Sequence, residues 1–322
     1  MSSRIGLNWT MRMKTMLTFD SLKSKWDTMP IYANAFLLLD SNHPIEFNVG
    51  YEALNQKTLL LMDSGEIHNI PSSKSIASSN YQFPDGKWVL TFRLVQNDNE
   101  DVYLRFCWDI IESSRTYTGD KIEFVLQRYT KWLRLMEHVR LDIMSNSMQK
   151  GLLGELLYLK ELISILGDVK AVNSWSGPDD ADQDFVYDNI WAEIKAISAS
   201  AETVGISSIE QLNSDTGGTL RVYFLEATTP DNNHGFTLSQ LVSEVRTLVS
   251  GNPVIKELFE HKLFMCSYKD NPLYDVQKYY LHSVNDYDIR DNFPRLTKGN
   301  INPAIVQAQY SISLAAIYDF KK

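Results

Sequence analysis

The chain has 322 residues, about twice the length of a typical domain, so two domains are the first expectation. Its composition, with 44% hydrophobic and 22% charged residues, is that of a globular protein and argues against a disordered chain, a collagen or a disulfide scaffold. The formal net charge of −9 excludes a protein that binds nucleic acid through an overall basic surface, but it leaves room for a local basic groove.

The cysteines and the hydropathy pattern indicate a reducing compartment. Cys107 and Cys266 lie in apolar stretches, which predicts buried free thiols rather than a disulfide. The first residues contain no apolar run long enough for a signal peptide, and no run of about 18 apolar residues predicts a membrane span. We therefore expect a cytoplasmic protein with no membrane partner.

Residues 1–118 are predicted to form a β-rich N-terminal domain. A short helix is expected at 21–29, and a polar loop with hairpin character at 96–100. The predicted strands are 35–40, 57–66, 87–95 and 101–110. This half contains no constellation of histidine, aspartate or cysteine that suggests chemistry.

Residues 119–322 are predicted to form an α/β domain, introduced by an amphipathic joining helix at 121–144. That helix carries Arg128, Lys131, Arg134 and Arg140, which indicate a solvated face or, as the alternative, a ridge facing nucleic acid. The further predicted helices are 149–167, 206–212, 238–249 and 254–260. The predicted strands are 169–175, 184–188, 189–198, 219–228, 262–268 and 277–284, and the tail 301–320 is apolar enough to pack on the same core. The domain thus begins with a helix, three strands, a helix and a strand.

A two-residue turn at Asp188–Asn189 would join the second and third of these strands in a hairpin. In that register Asp184 lies directly opposite Glu193, with Cβ atoms about 5 Å apart. Lys195 lies two residues beyond Glu193 and therefore on the same face. The hairpin separates an apolar face from a face with two acids and a lysine.

Two carboxylates held opposite each other repel, so something must compensate their charge. A divalent cation such as Mg²⁺ would do so with one or two carboxylates as ligands. Lys195 alone would also do so, in a structural ion pair. Spacing alone leaves these two readings open.

A third acid favours the metal reading. Glu155 lies on a predicted helix between Leu152 and Leu159, and a carboxylate on an apolar face is costly to bury without a partner. This helix precedes the hairpin by one short strand and could direct Glu155 at the acid pair. The six histidines, by contrast, have no metal-ligand spacing.

An acid followed by Glu-x-Lys, here Asp184 and Glu193-Ile194-Lys195, resembles the PD-(D/E)XK nuclease superfamily. The upstream glutamate helix and the order helix, three strands, helix, strand are similar to the core of that superfamily. The pattern GLLGELLYLKEL, WSGP, DF, WAEIKA and SSIEQL is most similar to an uncharacterised bacterial group of PD-(D/E)XK family members, often found near phage-defence and restriction systems. The resemblance extends over most of the chain and implies a restriction-endonuclease-like core, a mixed sheet flanked by helices.

The resemblance also implies a site. Asp184, Glu193 and the carbonyl of Ile194 would hold one Mg²⁺, for which Mn²⁺ could substitute, and Glu155 would help to place that ion or a second one. Lys195 would orient the attacking water or stabilise the charged transition state. Gln211 resembles a glutamine that some members use near the phosphate or the lysine.

One departure concerns the acid that precedes Glu-x-Lys. The Pro-Asp dipeptide occurs as Pro178–Asp179, in the loop before the strand, whereas Asp184 is the acid that faces Glu193. We therefore predict Asp184 as the metal ligand, with Asp182 as the second candidate and Asp179 as the third.

The leading hypothesis is a Mg²⁺-dependent endonuclease that hydrolyses DNA in a restriction or phage-defence system, with other subunits as possible partners and a homodimer as one arrangement. The first alternative is a catalytically silent module that binds nucleic acid or protein. A metal-dependent hydrolase of another phosphate ester is the second. The late segment 290–300 carries more basic than acidic residues, which indicates a solvated loop or a phosphate contact, and Trp175 is expected to pack in the core or to stack on a base.

Overall fold

A computed structural model describes residues 17–31, 36–95, 100–138, 143–179, 181–214, 216–290 and 292–322, with the backbone alone for 134–138. The chain divides into two compact units, Met1–His138 and Val139–Lys322, and each is described by itself. Both cysteines are free thiols, as expected. Within the described ranges, no helix has the length and apolar character that crossing a membrane requires.

The first unit is built on an antiparallel sheet in the order β1-β2-β3-β5-β4. Its strands are β1 (Phe36–Leu38), β2 (Phe47–Ala53), β3 (Gln56–Met62), β4 (Ile76–Gln82) and β5 (Trp88–Leu94), and its helices are α1 (Phe19–Asp27), α2 (Glu100–Ser114) and α3 (Lys121–His138). Both faces of the central strand β3 are buried, which explains why its sequence is a continuous apolar run rather than an alternation. The predicted β-rich character of this half is confirmed.

The strand predicted at 101–110 is wrong, because these residues belong to helix α2. Their apolar side chains are buried all around the helix, so the helical period does not stand out, and a largely apolar stretch of this length does not distinguish a buried strand from a buried helix. Glu100 and Asp101 in the first turn suit a helix N-terminus, and this was the available signal. The predicted hairpin therefore does not form, and the loop at 96–99 lies outside the described residues.

Helix α3 belongs to the first unit and ends at His138. Arg128, which was assigned to a solvated face or a nucleic-acid-facing ridge, instead forms a two-pronged ion pair with the buried Asp109. The indole of Trp132 donates to the same carboxylate at 2.7 Å. Arg128 is therefore part of the interior. The side chain of Arg134 and all of Arg140 lie outside the described residues.

The second unit has a four-stranded mixed sheet in the order β10-β9-β7-β6. The strands in this unit are β6 (Phe185–Tyr187), β7 (Ile190–Ile197), β8 (Thr203–Ile206), β9 (Gly218–Thr228), β10 (Lys278–Ile289) and β11 (Tyr310–Ser313). Strands β7 and β9 are parallel, and the two outer pairs are antiparallel. This is the predicted mixed α/β fold.

Helices cover one face of this sheet and a small ribbon covers the other. The helices are α4 (Asn146–Leu166), α5 (Asp168–Ser174), α6 (Leu238–Leu248) and α7 (Pro253–Met265), which share one apolar core with β6, β7 and β9. The opposite face packs against the antiparallel pair β8–β11 and the short helix Ala315–Phe320. Ile312 and Ile317 of the tail are buried there, so the tail packs on the sheet as expected.

Three local predictions in this unit are wrong. Residues 169–174 belong to helix α5, which begins after Gly167 ends α4 with a φ of 79°, although their valines favour a strand. Residues 207–212 form a turn after β8, in which the Ser208 hydroxyl accepts the N–H groups of Glu210 and Gln211 without a helix following. Residues 262–268 continue helix α7 to Met265 instead of forming a strand.

The predicted hairpin of β6 and β7 is confirmed, register included. Phe185 pairs with Ala192 and Tyr187 with Ile190. The turn residues Asp188 and Asn189 have φ values of 47° and 62°, the left-handed backbone that a two-residue hairpin turn requires and that Asp and Asn tolerate. The sequence of the turn thus sets which residues of the two strands face each other.

The start of β9 offers a test of packing against the hairpin. A Cβ on Gly218 would lie 2.0 Å from the buried indole of Trp191, whereas a Cβ on Gly217 would meet nothing within 4 Å. We expect Gly218→Ala to lower the free energy of unfolding by about 1–3 kcal/mol through overpacking. Gly217→Ala is the matched control and should change it little. Urea denaturation measures both, and equal values for the two variants would contradict this packing.

Candidate active site

Asp184 is held against the hairpin from two sides. Asp184 directly precedes the first residue of β6, and its carboxylate Oδ2 accepts the N–H of Ile194 on β7 at 2.8 Å. Its own carbonyl accepts the N–H groups of Ser176 and Gly177 at 2.8 and 2.9 Å. The side chain therefore lies over β7 at Glu193 and Ile194, as the predicted register requires.

Glu193 and Lys195 form an ion pair along one face of β7. The Lys195 ammonium lies 2.7 Å from Glu193 Oε1, and Glu193 is 0% exposed. Among the described residues neither Glu193 oxygen accepts a well-formed hydrogen bond, so the ammonium is near but poorly directed. Lys195 also lies 3.4 Å from the amide oxygen of Gln211, which accepts the N–H of Ser207 at 2.8 Å. The turn after β8 thus places Gln211 beside Lys195.

Glu155 reaches the same place from helix α4. Gly154 allows the helix to approach β7 closely, since a Cβ there would lie 3.0 Å from the Cβ of Ala196. The Glu155 Oε2 atom accepts the indole N–H of Trp175 at 2.7 Å. A Cβ on Gly177 would lie 3.0 Å from Asp184 Oδ1 and 3.5 Å from Glu155 Oε2, so both carboxylates border one small space that only a glycine leaves open.

Burial dominates the electrostatics of this cluster. It raises the pKa of Glu155 to about 8 and that of Glu193 to about 8, and the charge of Asp184 adds to both increases. Burial also raises the pKa of Asp184, although the Lys195 charge and the Ile194 N–H oppose it. Burial acts to lower the pKa of Lys195, but Glu193 and the other two acids raise it overall, so Lys195 stays charged.

The chemistry of the donors fits a hard divalent cation. The half-buried carboxylates of Glu155 and Asp184 and the buried one of Glu193 are close enough to affect each other's pKa, and the Glu193 oxygens lack hydrogen-bond donors. In the described part of the chain, however, no group of three or more His, Cys, Asp or Glu residues is already arranged to hold a metal ion. The contacts give a reason: Asp184 and Glu155 each accept a protein N–H, and Glu193 is paired with Lys195.

The two lower-ranked acids lie elsewhere. The carboxylate of Asp179 accepts a bond from Lys262 at 2.7 Å, and Asp182 is exposed in the loop before β6. Strand β6 begins only at Phe185, so Asp182 lies outside the residues that pair with β7. Asp179 of the displaced Pro178–Asp179 dipeptide therefore helps to hold the loop before β6 in place, through its bond with Lys262.

Lys262, which the sequence did not single out, holds the segment that carries Trp175 and Asp179. Its side chain is only 4% exposed, and its ammonium bonds both to Asp179 and to the carbonyl of Trp175. Trp175 in turn is fully buried and donates to Glu155. Its ring lies nearly parallel to that of Phe185, which confirms the packing alternative for this residue. The available signal was the position of this lysine directly before the apolar residues 263–266.

The buried acids predict a pH-dependent stability in metal-free buffer. Because the pKa of Glu193 is raised, the native state binds more protons than the unfolded chain between about pH 4.5 and 8, so stability falls as pH rises through that window. Glu193→Gln removes the titration and should raise the urea midpoint at pH 9 relative to wild type, with a smaller difference at pH 5. Glu244→Gln, at an exposed ion pair, is the control. Parallel curves for wild type and Glu193→Gln would contradict the burial effect.

The comparison with known protein families bears on this site. A family model described as "Putative PD-(D/E)XK family member, (DUF4420)" matches residues 20–315, which is most of the chain and includes the β-rich first unit. No curated protein and no solved structure matches the chain. The match includes Glu155, Asp184, Glu193, Lys195 and Gln211 within its span. The chain therefore belongs to this PD-(D/E)XK family.

Proposed function

We propose that this protein is a divalent-metal-dependent nuclease that hydrolyses DNA phosphodiester bonds, with Mg²⁺ as the cofactor and Mn²⁺ as a substitute. The observation that best supports this proposal is that Asp184, Glu193 and Lys195 lie together on one hairpin. Glu155 approaches Asp184 from helix α4. Family membership supports a nuclease-like activity. A structural ion pair explains the lysine but not the presence of three acids with raised pKa values around it.

Each residue has a role that follows from its position. Asp184 and Glu193 would hold the ion, together with the carbonyl of Ile194, which points to the same strand edge as the Ile194 N–H that Asp184 accepts. Glu155 would complete the acidic set from the helix side. The bound ion would acidify a water and neutralise charge on the phosphate.

Lys195 would act on the reacting groups directly. An ammonium that stays protonated cannot accept a proton from water, so its role would be to orient the attacking water and to stabilise the negative charge that develops on the phosphate. Gln211 would position Lys195 through its amide oxygen, since it is itself fixed by the Ser207 N–H.

The biological setting follows from the sequence resemblance. That group of bacterial proteins is often found near restriction and phage-defence systems, so we propose a role in such a system, inside the cytoplasm and with other subunits as partners. A homodimer would place two sites on the two strands of a duplex.

Plasmid cleavage tests the assignment of the site. With Mg²⁺ or Mn²⁺, Asp184→Asn, Glu193→Gln and Lys195→Met should each reduce the cleavage rate by at least about 100-fold, because each removes a charge that acts in the transition state. Asp182→Asn should cut at close to the wild-type rate, since this acid is exposed in the loop. Full activity in the Asp184 variant combined with loss in the Asp182 variant would overturn the choice of acid.

Calorimetric titration with Mn²⁺ separates the nuclease from the catalytically silent module. The wild-type protein should bind Mn²⁺, and Glu193→Gln should weaken binding at least about tenfold by removing one anionic ligand. Glu244→Gln again serves as the control, because its carboxylate pairs with Lys160 at the surface. Binding of DNA without any binding of Mn²⁺ would favour the silent module.

A further inference from the structure

The loop 293–300, which we call the basic rim, lies against the turn that carries Gln211. The Arg295 guanidinium donates to the carbonyl of Leu212 at 2.5 Å, and the Lys298 ammonium lies 3.3 Å from Glu210 Oε1. Gln211, between these two partners, contacts Lys195. Both cations are therefore attached to the residues on either side of a site residue.

The basic rim has a defined structure. Phe293 anchors its start in the core beneath β8–β11, at 3% exposure. Asn300 closes it, donating to the carbonyl of Arg295 and accepting the N–H of Thr297, both at 2.8 Å. The N–H of Leu296 donates to the hydroxyl of Tyr310 on β11 at 3.3 Å. The loop is thus fastened to the ribbon that covers the sheet.

The two cations remain available to an anion. Lys298 is 71% exposed, and its contact with Glu210 is an ion pair at the surface, which stabilises little and is easily exchanged. Arg295 is half-buried and uses one nitrogen on a carbonyl, while a guanidinium carries five N–H groups. Burial raises the pKa of Tyr310, whose hydroxyl the rim contacts, and the charges of Arg295 and Lys195 both oppose that increase.

We propose that Arg295 and Lys298 bind phosphates of the DNA backbone next to the phosphate held at Lys195. This inference rests on the proposed function and adds the surface that holds its substrate. Successive phosphates of one strand advance only about 3.4 Å along the helix axis, so cations beside the site meet neighbouring phosphates rather than bases. Such contacts fix the register of the strand without reading its sequence.

Glu210 opposes this binding. Its carboxylate pairs with Lys298 and would lie close to the incoming phosphate. Binding would then replace the half-buried Glu210 carboxylate with a phosphate as the partner of the Lys298 ammonium. Removing the carboxylate should therefore strengthen DNA binding, a change opposite in sign to the loss of either cation.

Fluorescence anisotropy with a labelled DNA duplex in EDTA, where no bond is cut, tests the basic rim. Lys298→Gln and Arg295→Gln should each weaken binding by roughly 3- to 10-fold and lower the slope of log K against log salt by about 0.9. Arg295→Lys keeps the charge and should keep the slope. Glu210→Gln should bind more tightly than wild type.

Lys160→Gln is the matched control, because Lys160 forms an exposed ion pair with Glu244 on helices α4 and α6. It should leave both affinity and slope unchanged. Equal slopes for wild type, Lys298→Gln and Arg295→Gln would overturn the proposed role of the basic rim in DNA binding. If the wild-type protein still cleaved DNA, the proposed nuclease function would stand. Absence of DNA binding by the wild-type protein, in EDTA and with Mn²⁺, would overturn the DNA substrate and the rim together.

Discussion

The register of the hairpin β6–β7 determines which charged residues of the candidate site lie beside each other. Asp188 and Asn189 take left-handed backbone conformations, and this turn pairs Phe185 with Ala192. A slip of one residue would send every side chain of β7 to the opposite face. The side chains of Glu193 and Lys195 would then both move into the apolar layer under α4. Site and core therefore depend on the same two turn residues.

Close backbone approaches bring the remaining groups to that hairpin. Gly154 lets helix α4 pack against Ala196, and this contact carries Glu155 to the site. Gly177 leaves the space that the carboxylates of Glu155 and Asp184 border. The buried Lys262 then bonds to the carbonyl of Trp175, whose indole bonds to Glu155. Packing and polar contacts thus hold an arrangement of like charges that would otherwise separate.

The sequence was informative where the signals are local. A two-residue turn with Asp-Asn, an acid opposite an acid and a glutamate among leucines predicted the hairpin and the helix that direct three side chains to one place. Largely apolar stretches were less informative. Residues 101–110 are buried all around their helix, so their period does not distinguish strand from helix. Helix α5 has one buried and one exposed face, but its seven residues are too few for a helical period to stand out. The bond from Lys262 to Asp179 joins residues 83 positions apart, and no local pattern specifies such a contact.

The net charge of −9 does not describe the site that a DNA phosphate would meet. Since burial raises the pKa of Glu155 and of Glu193 to about 8, both carboxylates hold protons more readily than free glutamates do, and the cluster without a metal is less negative than its residues suggest. A divalent cation that enters must displace these protons, so metal binding and proton release are coupled. If the proposed ion binds here, these acids would gain charge together with the ion that offsets it, so the acidic chain as a whole would not repel a phosphate at this place.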